Sequence, residues 1–296
     1  MTKSFALRLL AALLMFSNAL AAQAQKTGLL LDVARFRNEN AVTKGAVVEL
    51  YVTVPGNALI YRKRAPKIFQ AAAVVTLEAV RVDGSVAYQE TITLKPPVLN
   101  DTSIALKNPI SFQKRIELPD GQYTLRAKVQ DQTSKKNLAT IEQPLVLDFN
   151  EPKTRLSDIV LLARPAGRSA VPGDNFTRGG YSLARTPNGL YARGADRLAW
   201  YAELYDAPAP IVLATRCRIR PAAGGADVLT SAGLARSVAG GPHLVLGDMN
   251  IANLMAGDYD LIIEVRDAKG KLLTSHTTRL QRRPDEYAPA AAVLPK

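Results

Sequence analysis

One stretch of this chain is written twice. Gly121-Gln-Tyr123-Thr-Leu125-Arg-Ala127-Lys-Val129-Gln-Asp131 returns as Gly257-Asp-Tyr259-Asp-Leu261-Ile-Ile263-Glu-Val265-Arg-Asp267. In each copy a Gly lets the chain turn, a Tyr follows two residues later, and an Asp opens the next turn. Between them apolar residues recur at period 2, which places Tyr, Leu, Ala or Ile, and Val on one face of a β-strand. The duplication predicts two copies of one β-unit, with this strand in the same late position of each.

The rest of the chain repeats around it in the same order. Leu29–Phe36 predicts a first strand, and Val48, Leu50, Val52 and Val54 alternate with Glu49, Tyr51 and Thr53 as in a strand with one buried and one wet face. Ala73–Val82 and Val86–Leu94 flank Asp83-Gly84, the strongest hairpin signal in the chain. After the polar linker Asn150–Arg155, the stretch Leu156–Leu161 matches the first strand and Leu198, Trp200, Ala202 and Leu204 match the Val48 strand. Ile211–Ile219 matches the Ala73 strand, with Gly224-Gly225 where Asp83-Gly84 stood. Arg164–Gly194, rich in Gly, Pro and Arg, reads as a long excursion with one short strand near Tyr181-Ser-Leu183. Short strands separated by turn residues, with almost no helical periodicity, predict an all-β chain of two tandem immunoglobulin-like or fibronectin-like β-sandwich domains. The expected boundaries are residues 27–150 and 155–283, with a disordered tail over 284–296 that Arg282-Arg283-Pro284 opens.

Residues 1–24 read as a cleaved signal peptide. Lys3 and Arg8 form a basic n-region, Leu9–Phe16 an apolar run, and Ala22-Gln23-Ala24 an A-x-A site. The run falls short of the ~18 apolar residues of a spanning helix, and no transmembrane segment is expected downstream. Export to the periplasm or cell envelope follows, with release as the alternative. The single cysteine, Cys217, rules out an internal disulfide, so each domain must be held by its core. Cys217 itself lies on the apolar side of its strand and reads as packing.

The net charge of +12 points to anionic partners such as lipid headgroups or acidic polysaccharide. Export makes nucleic acid an unsuitable partner. Two basic features stand out. Arg62, Lys63, Arg64 and Lys67 cluster in what reads as an exposed loop, and Arg216, Arg218 and Arg220 alternate along the outward face of one strand. Like charges at that spacing repel, so the ladder is tolerated where it is solvated or meets an anion. These seven residues are the candidate site for an anion or an acidic partner, through multiple Arg and Lys contacts.

Catalytic patterns are sparse. His243 and His276 are the only histidines, and neither has Cys, His or carboxylate neighbours at metal-ligand spacing. No Gly-x-Ser-x-Gly elbow or phosphate-binding glycine loop occurs. Asp258 and Asp260 flank Tyr259 on its outward side, where a solvated face is the simpler reading than a calcium site. No enzyme, metal or cofactor is expected. Tyr123 and Tyr259 are expected to act as tyrosine corners and Trp200 to fill the second core.

Leu31-Asp-Val-Ala-Arg-Phe36, the Val48 strand, Leu118-Pro-Asp-Gly-Gln-Tyr-Thr-Leu125, Leu156-Ser-Asp-Ile159 and the second Gly-x-Tyr strand together resemble the N-terminal region of GWxTD-domain-containing proteins. The similarity covers most of residues 29–280. It implies an exported bacterial protein with tandem β-sandwich modules. The sequence has no Gly-Trp-x-Thr-Asp motif, so nothing that resides in that domain is carried over, and no functional residues are transferred. The functional expectation is a non-enzymatic interaction or scaffolding module of the cell envelope, bound to an envelope protein. The alternative is an accessory protein for anionic glycan or lipid headgroups.

Overall fold

The computed structural model describes residues 29–39, 44–104, 107–135, 137–169, 176–207, 213–236 and 241–286. The expected signal peptide, and residues 287–296 of the expected tail, lie outside them. In the first half the strands are β1 (Leu30–Arg37), β2 (Ala46–Val54), β3 (Arg62–Ala65), β4 (Ile68–Gln70), β5 (Ala73–Arg81), β6 (Val86–Leu94), β7 (Ile110–Leu118), β8 (Gly121–Asp131) and β9 (Asn137–Leu147). The second half begins with β10 (Arg155–Leu156), β11 (Val160–Leu162), β12 (Gly167–Arg168), β13 (Thr177–Arg178), β14 (Tyr181–Ser182) and β15 (Leu190–Ala192). It continues with β16 (Arg197–Tyr205), β17 (Ala214–Pro221), β18 (Leu229–Leu234), β19 (His243–Asn250), β20 (Gly257–Arg266) and β21 (Leu272–Arg283).

Domain 1 packs the sheet β1-β2-β7 against the sheet β6-β5-β8-β9. Period-2 alternation does the work: Val48, Leu50, Val52 and Val54 on β2 meet Val75 and Leu77 on β5 and Leu125, Ala127 and Val129 on β8. Domain 2 repeats the plan, with β10 and β11 beside β16, β19 on its other side, and a facing sheet β15-β21-β20-β17-β18. Trp200 lies in that second core with Leu198, Leu204, Ile263 and Val265. Cys217 is buried there too, and burial pushes its thiol up to about 12, which leaves it inert. The chain is therefore two tandem β-sandwiches of the immunoglobulin or fibronectin kind.

The duplicated motif holds each domain at its edge. Tyr123 Oη donates to the Pro119 carbonyl at 2.9 Å, and Tyr259 Oη donates to the Met255 carbonyl at 3.0 Å. Gly257 gives the ring that follows it room to lie, since a Cβ there would sit 3.2 Å from Tyr259 Cε2. Tyr123→Phe and Tyr259→Phe should each lose about 0.5–1.5 kcal/mol, the net worth of one hydrogen bond. Urea unfolding measures it, and a pair of Phe variants as stable as the parent would rule the corner out.

Three sequence expectations change. The stretch before Trp200 is more ordered than an excursion: β12, β14 and β13 form a small sheet, and β15 adds in parallel to the end of β21. Arg282 does not open a tail but is 2 % exposed within β21, donating to the carbonyls of Ala192 and Ala195. The third change is the largest. The outer face of β2 is not wet, because the β1-β2-β7 sheet lies against domain 2. Ala34 and Phe36 of β1 share a third core with Val160, Leu162, Tyr181, Ala199, Tyr201 and Leu244.

That seam is charged at its centre. Glu49 is fully buried and takes Arg115 Nε at 2.8 Å, with Arg178 NH1 at 3.6 Å. Arg178 forks onto Glu203 at 2.7 and 2.9 Å, and Tyr201 and Tyr205 donate to the same carboxylate. The Arg178 guanidinium also lies 3.6 Å over the Phe36 ring, and Arg185 lies 3.6 Å over Tyr51. Arg115 and Glu49 come from domain 1, Arg178 and Glu203 from domain 2, so the alternating charges bind the sandwiches into one body.

Candidate functional site

The basic cluster near Arg62 is a hairpin, not a loop. Arg62 pairs with Gln70 and Lys63 with Phe69 across β3 and β4, and Lys67 turns the chain at φ 54. Phe69 exchanges both backbone hydrogen bonds with Leu99, which ties the hairpin to the neighbouring segment. Its base is anchored at Asp131, which accepts the Ile60 N–H at 2.8 Å. Burial pushes the Asp131 carboxyl up, but N–H groups of Ile60 and Ser134 outweigh that and hold it below the usual range. Arg62, Lys63, Arg64 and Lys67 are all exposed. Among the described residues none of the four has an ion-pair partner. Exposed apolar side chains stand beside them: Ile60 at 46 %, Ile68 at 41 % and Val98 at 51 %.

The arginine ladder differs. Arg218 NH1 reaches both oxygens of Asp227 at 3.1–3.2 Å, and its NH2 donates to Glu264 at 2.5 Å. Arg220 Nε donates to Asp227 at 3.0 Å. These hydrogen bonds and charges raise the Arg218 pKa and lower that of Asp227. The repulsion within the ladder is thus answered inside the sheet: Glu264 stands opposite Arg216 on β20, and Asp227 comes from the turn before β18. Only Arg216 of the three remains exposed without an ion-pair partner among the described residues. Asp258 and Asp260 are likewise paired, with Arg283 and Arg279, and do not form a calcium site. Among the described residues no cluster of His, Cys, Asp and Glu could hold a metal.

Sequence reasoning missed a third feature, at the domain junction. Arg35 donates through its backbone N–H and Nε to Asp158 Oδ2, both at 2.8 Å, and through NH2 to Oδ1 at 2.7 Å. His276 Nε2 lies 3.2 Å from the same Oδ1. Burial pushes the Asp158 carboxyl up, yet the bonds from His276 and Arg35 win and hold it at about 2. Both carboxylate oxygens are saturated, which suits a structural tie between domains. A cleft of about 380 Å³ opens on one side of this trio and one of about 200 Å³ on the other. The residues come from three distant segments, so no local pattern announces them.

No family model matches the chain, and no curated protein does. Among solved structures it is similar to the fibronectin(III)-like modules of Clostridium thermocellum CbhA at 11 % identity, over 82 % of this chain and 89 % of that one, with a TM-score of 0.23. A β-glucuronidase of Bifidobacterium dentium, complexed with coumarin-3-O-glucuronide, matches at 7 % identity and a TM-score of 0.25, over 86 % of this chain and 47 % of that one. At these scores neither carries an argument about function. Among the described residues no helix is long and apolar enough to cross a membrane.

Proposed function

We propose that this chain acts by binding, not by turnover: an exported interaction or scaffolding module of the cell envelope whose contact surface is the β3–β4 hairpin. The observation that carries this reading is the hairpin itself, four exposed cations without ion-pair partners among the described residues, beside exposed Ile60 and Ile68. Many arginines elsewhere are paired with carboxylates, among them Arg35, Arg126, Arg178, Arg218 and Arg283. The hairpin gathers four exposed cations in one short stretch with no such partner among the described residues. The charged seam supports the scaffolding part, since it gives whatever the hairpin holds a fixed position relative to domain 2.

Charge defines the partner: an acidic face of an envelope protein, with anionic polysaccharide or lipid headgroups as the second reading. Exposed apolar residues among the cations favour a protein or lipid surface over a fully hydrated glycan. The test replaces Arg62, Lys63, Arg64 and Lys67 together by Ser. Near an anionic surface each such charge is worth about 1 kcal/mol. The variant should therefore lose more than about 100-fold in capture of envelope proteins or in sedimentation with phosphatidylglycerol vesicles, and parent binding should weaken with salt. Unchanged capture in both arms sinks the proposal.

A further inference from the structure

The sheet β15-β21-β20-β17-β18 ends on β18, and no described strand pairs with the outer side of β18. The β17–β18 register runs from Ala214↔Leu234 to Ile219↔Leu229, and one position further the Ala235 N–H donates to the Leu213 carbonyl. Antiparallel partners exchange hydrogen bonds at every second position, so Leu229, Ser231 and Gly233 face β17 as Ala235 does. Thr230, Ala232 and Leu234 therefore aim their N–H and C=O groups at the open side. Arg236, next in that series, shows the direction: it exchanges both backbone bonds with Leu244 of β19. Proteins guard such edges with charge or proline. β6, the counterpart of β18 in domain 1, carries Glu90 held by Lys114, and β9 carries Glu142 and Pro144. β18 reads Leu-Thr-Ser-Ala-Gly-Leu and has neither, and Leu234 beside the opening is 60 % exposed.

The arginine ladder stands next to this opening. The register sets Arg218 opposite Thr230 and Arg216 opposite Ala232, on the outward face, since Cys217 and Ile219 are buried. The carboxylates of that face are engaged: Asp227 and Glu264 by Arg218, Arg220 and Arg266, and Asp260 by Arg279. Arg216 is exposed without an ion-pair partner among the described residues, and the small side chain of Ala232 leaves it a path to the edge. Two strand spacings, about 9–10 Å, separate β17 from a strand added outside β18, a span that Arg and Glu side chains cover together. We infer that β18 is a docking edge for an extended acidic segment of a partner protein. The segment adds as an antiparallel strand, with Glu opposite Ala232 and within reach of Arg216, and an apolar residue opposite Leu234. Backbone hydrogen bonds supply the affinity and those two side chains the selectivity. A second copy of this basic chain fits less well, because β18 brings no carboxylate to Arg216. The edge belongs to domain 2, is separate from the β3–β4 hairpin and does not depend on the reading given to it.

Fluorescence anisotropy of the full chain with a labelled, end-blocked peptide Ser-Val-Thr-Glu-Thr-Val-Ser tests the inference. Saturable binding tighter than about 1 mM is expected. Methylating the amide nitrogens of the peptide's Glu and both Val, the groups that face β18 in this register, should abolish it, whereas a purely electrostatic contact would survive. Exchanging the peptide Glu for Gln should weaken binding about fivefold, the upper range for an exposed ion pair. Arg216→Gln should remove that preference, as the coupling of a contacting pair requires. Ala232→Pro deletes one outward N–H, leaves the bonds to β17 in place and should weaken binding about tenfold. The methylated peptide puts the same question to the parent if that variant fails to fold. The fourfold hairpin substitution should change nothing, which separates failure of one site from failure of the other. No saturable binding, equal binding of the methylated peptide, or a Glu preference that outlasts Arg216→Gln would overturn the inference. So would a dimer of the chain alone that Ala232→Pro takes apart, since a second copy would then occupy the edge.

Discussion

Replacing Glu203 by alanine is expected to destabilise this protein by about 3–5 kcal/mol, the usual result of removing one partner from a buried ion pair. Glu203 is 3 % exposed and receives both forks of Arg178 and the hydroxyls of Tyr201 and Tyr205. Without it the Arg178 charge stays buried with only Glu49 at 3.6 Å, and two phenols lose their acceptor. Burial, and then the Glu203 charge, pushes the pKa of both tyrosines above the ordinary phenol range, so neither can ionise to substitute for it. Glu203→Gln keeps the shape and one acceptor, and should cost less. Urea unfolding followed by the fluorescence of Trp200, the lone tryptophan, gives the number. A loss below about 1 kcal/mol would mean the seam is not closed in solution.

Phe36→Ala should cost a similar amount, about 3–5 kcal/mol, by opening a cavity in a packed site. Its ring is fully buried, 3.6 Å beneath Arg178 and edge-on to Tyr201 at 6.3 Å between centroids. Phe36 belongs to β1 of domain 1, yet the partners it loses belong to domain 2. The parent should therefore melt in one calorimetric transition, whereas F36A should split into two as the sandwiches uncouple. Two resolved transitions in the parent would show that the seam does not couple them.

The contrast between these residues and the core marks what could be read from sequence. Val48, Leu50, Val52 and Val54 announce their face by period 2, and the repeated Gly-x-Tyr strand announces both domains. Glu49 and Tyr51 occupy the polar positions of that same strand. A face covered by another domain's arginines and tyrosines has the same residue types as a face covered by water, so alternation cannot tell them apart. One signal was available: β16 runs Leu-Ala-Trp-Tyr-Ala-Glu-Leu-Tyr from Leu198 to Tyr205, nearly apolar on both faces, as a strand buried on both sides must be. The arginine ladder was legible as a row on one face. Its neutralisation was not, because that depends on the β17–β20 register and on where the turn places Asp227. The trio at the junction brings together Arg35 of β1, Asp158 between β10 and β11, and His276 of β21, and a fold has to be known before they become neighbours.

The seam also imposes an order in time. Domain 1 has all its strands once Leu147 is made, but the outer face of β1 and β2 must wait for Tyr201, Glu203 and finally Leu244 of β19. At a synthesis rate of about 5–20 residues per second, that interval lasts roughly 5–20 s. Throughout it, Phe36 and the Glu49 carboxylate face water or whatever else approaches. The first sandwich is thus born with an unfinished side, and the second half of the chain is what completes it.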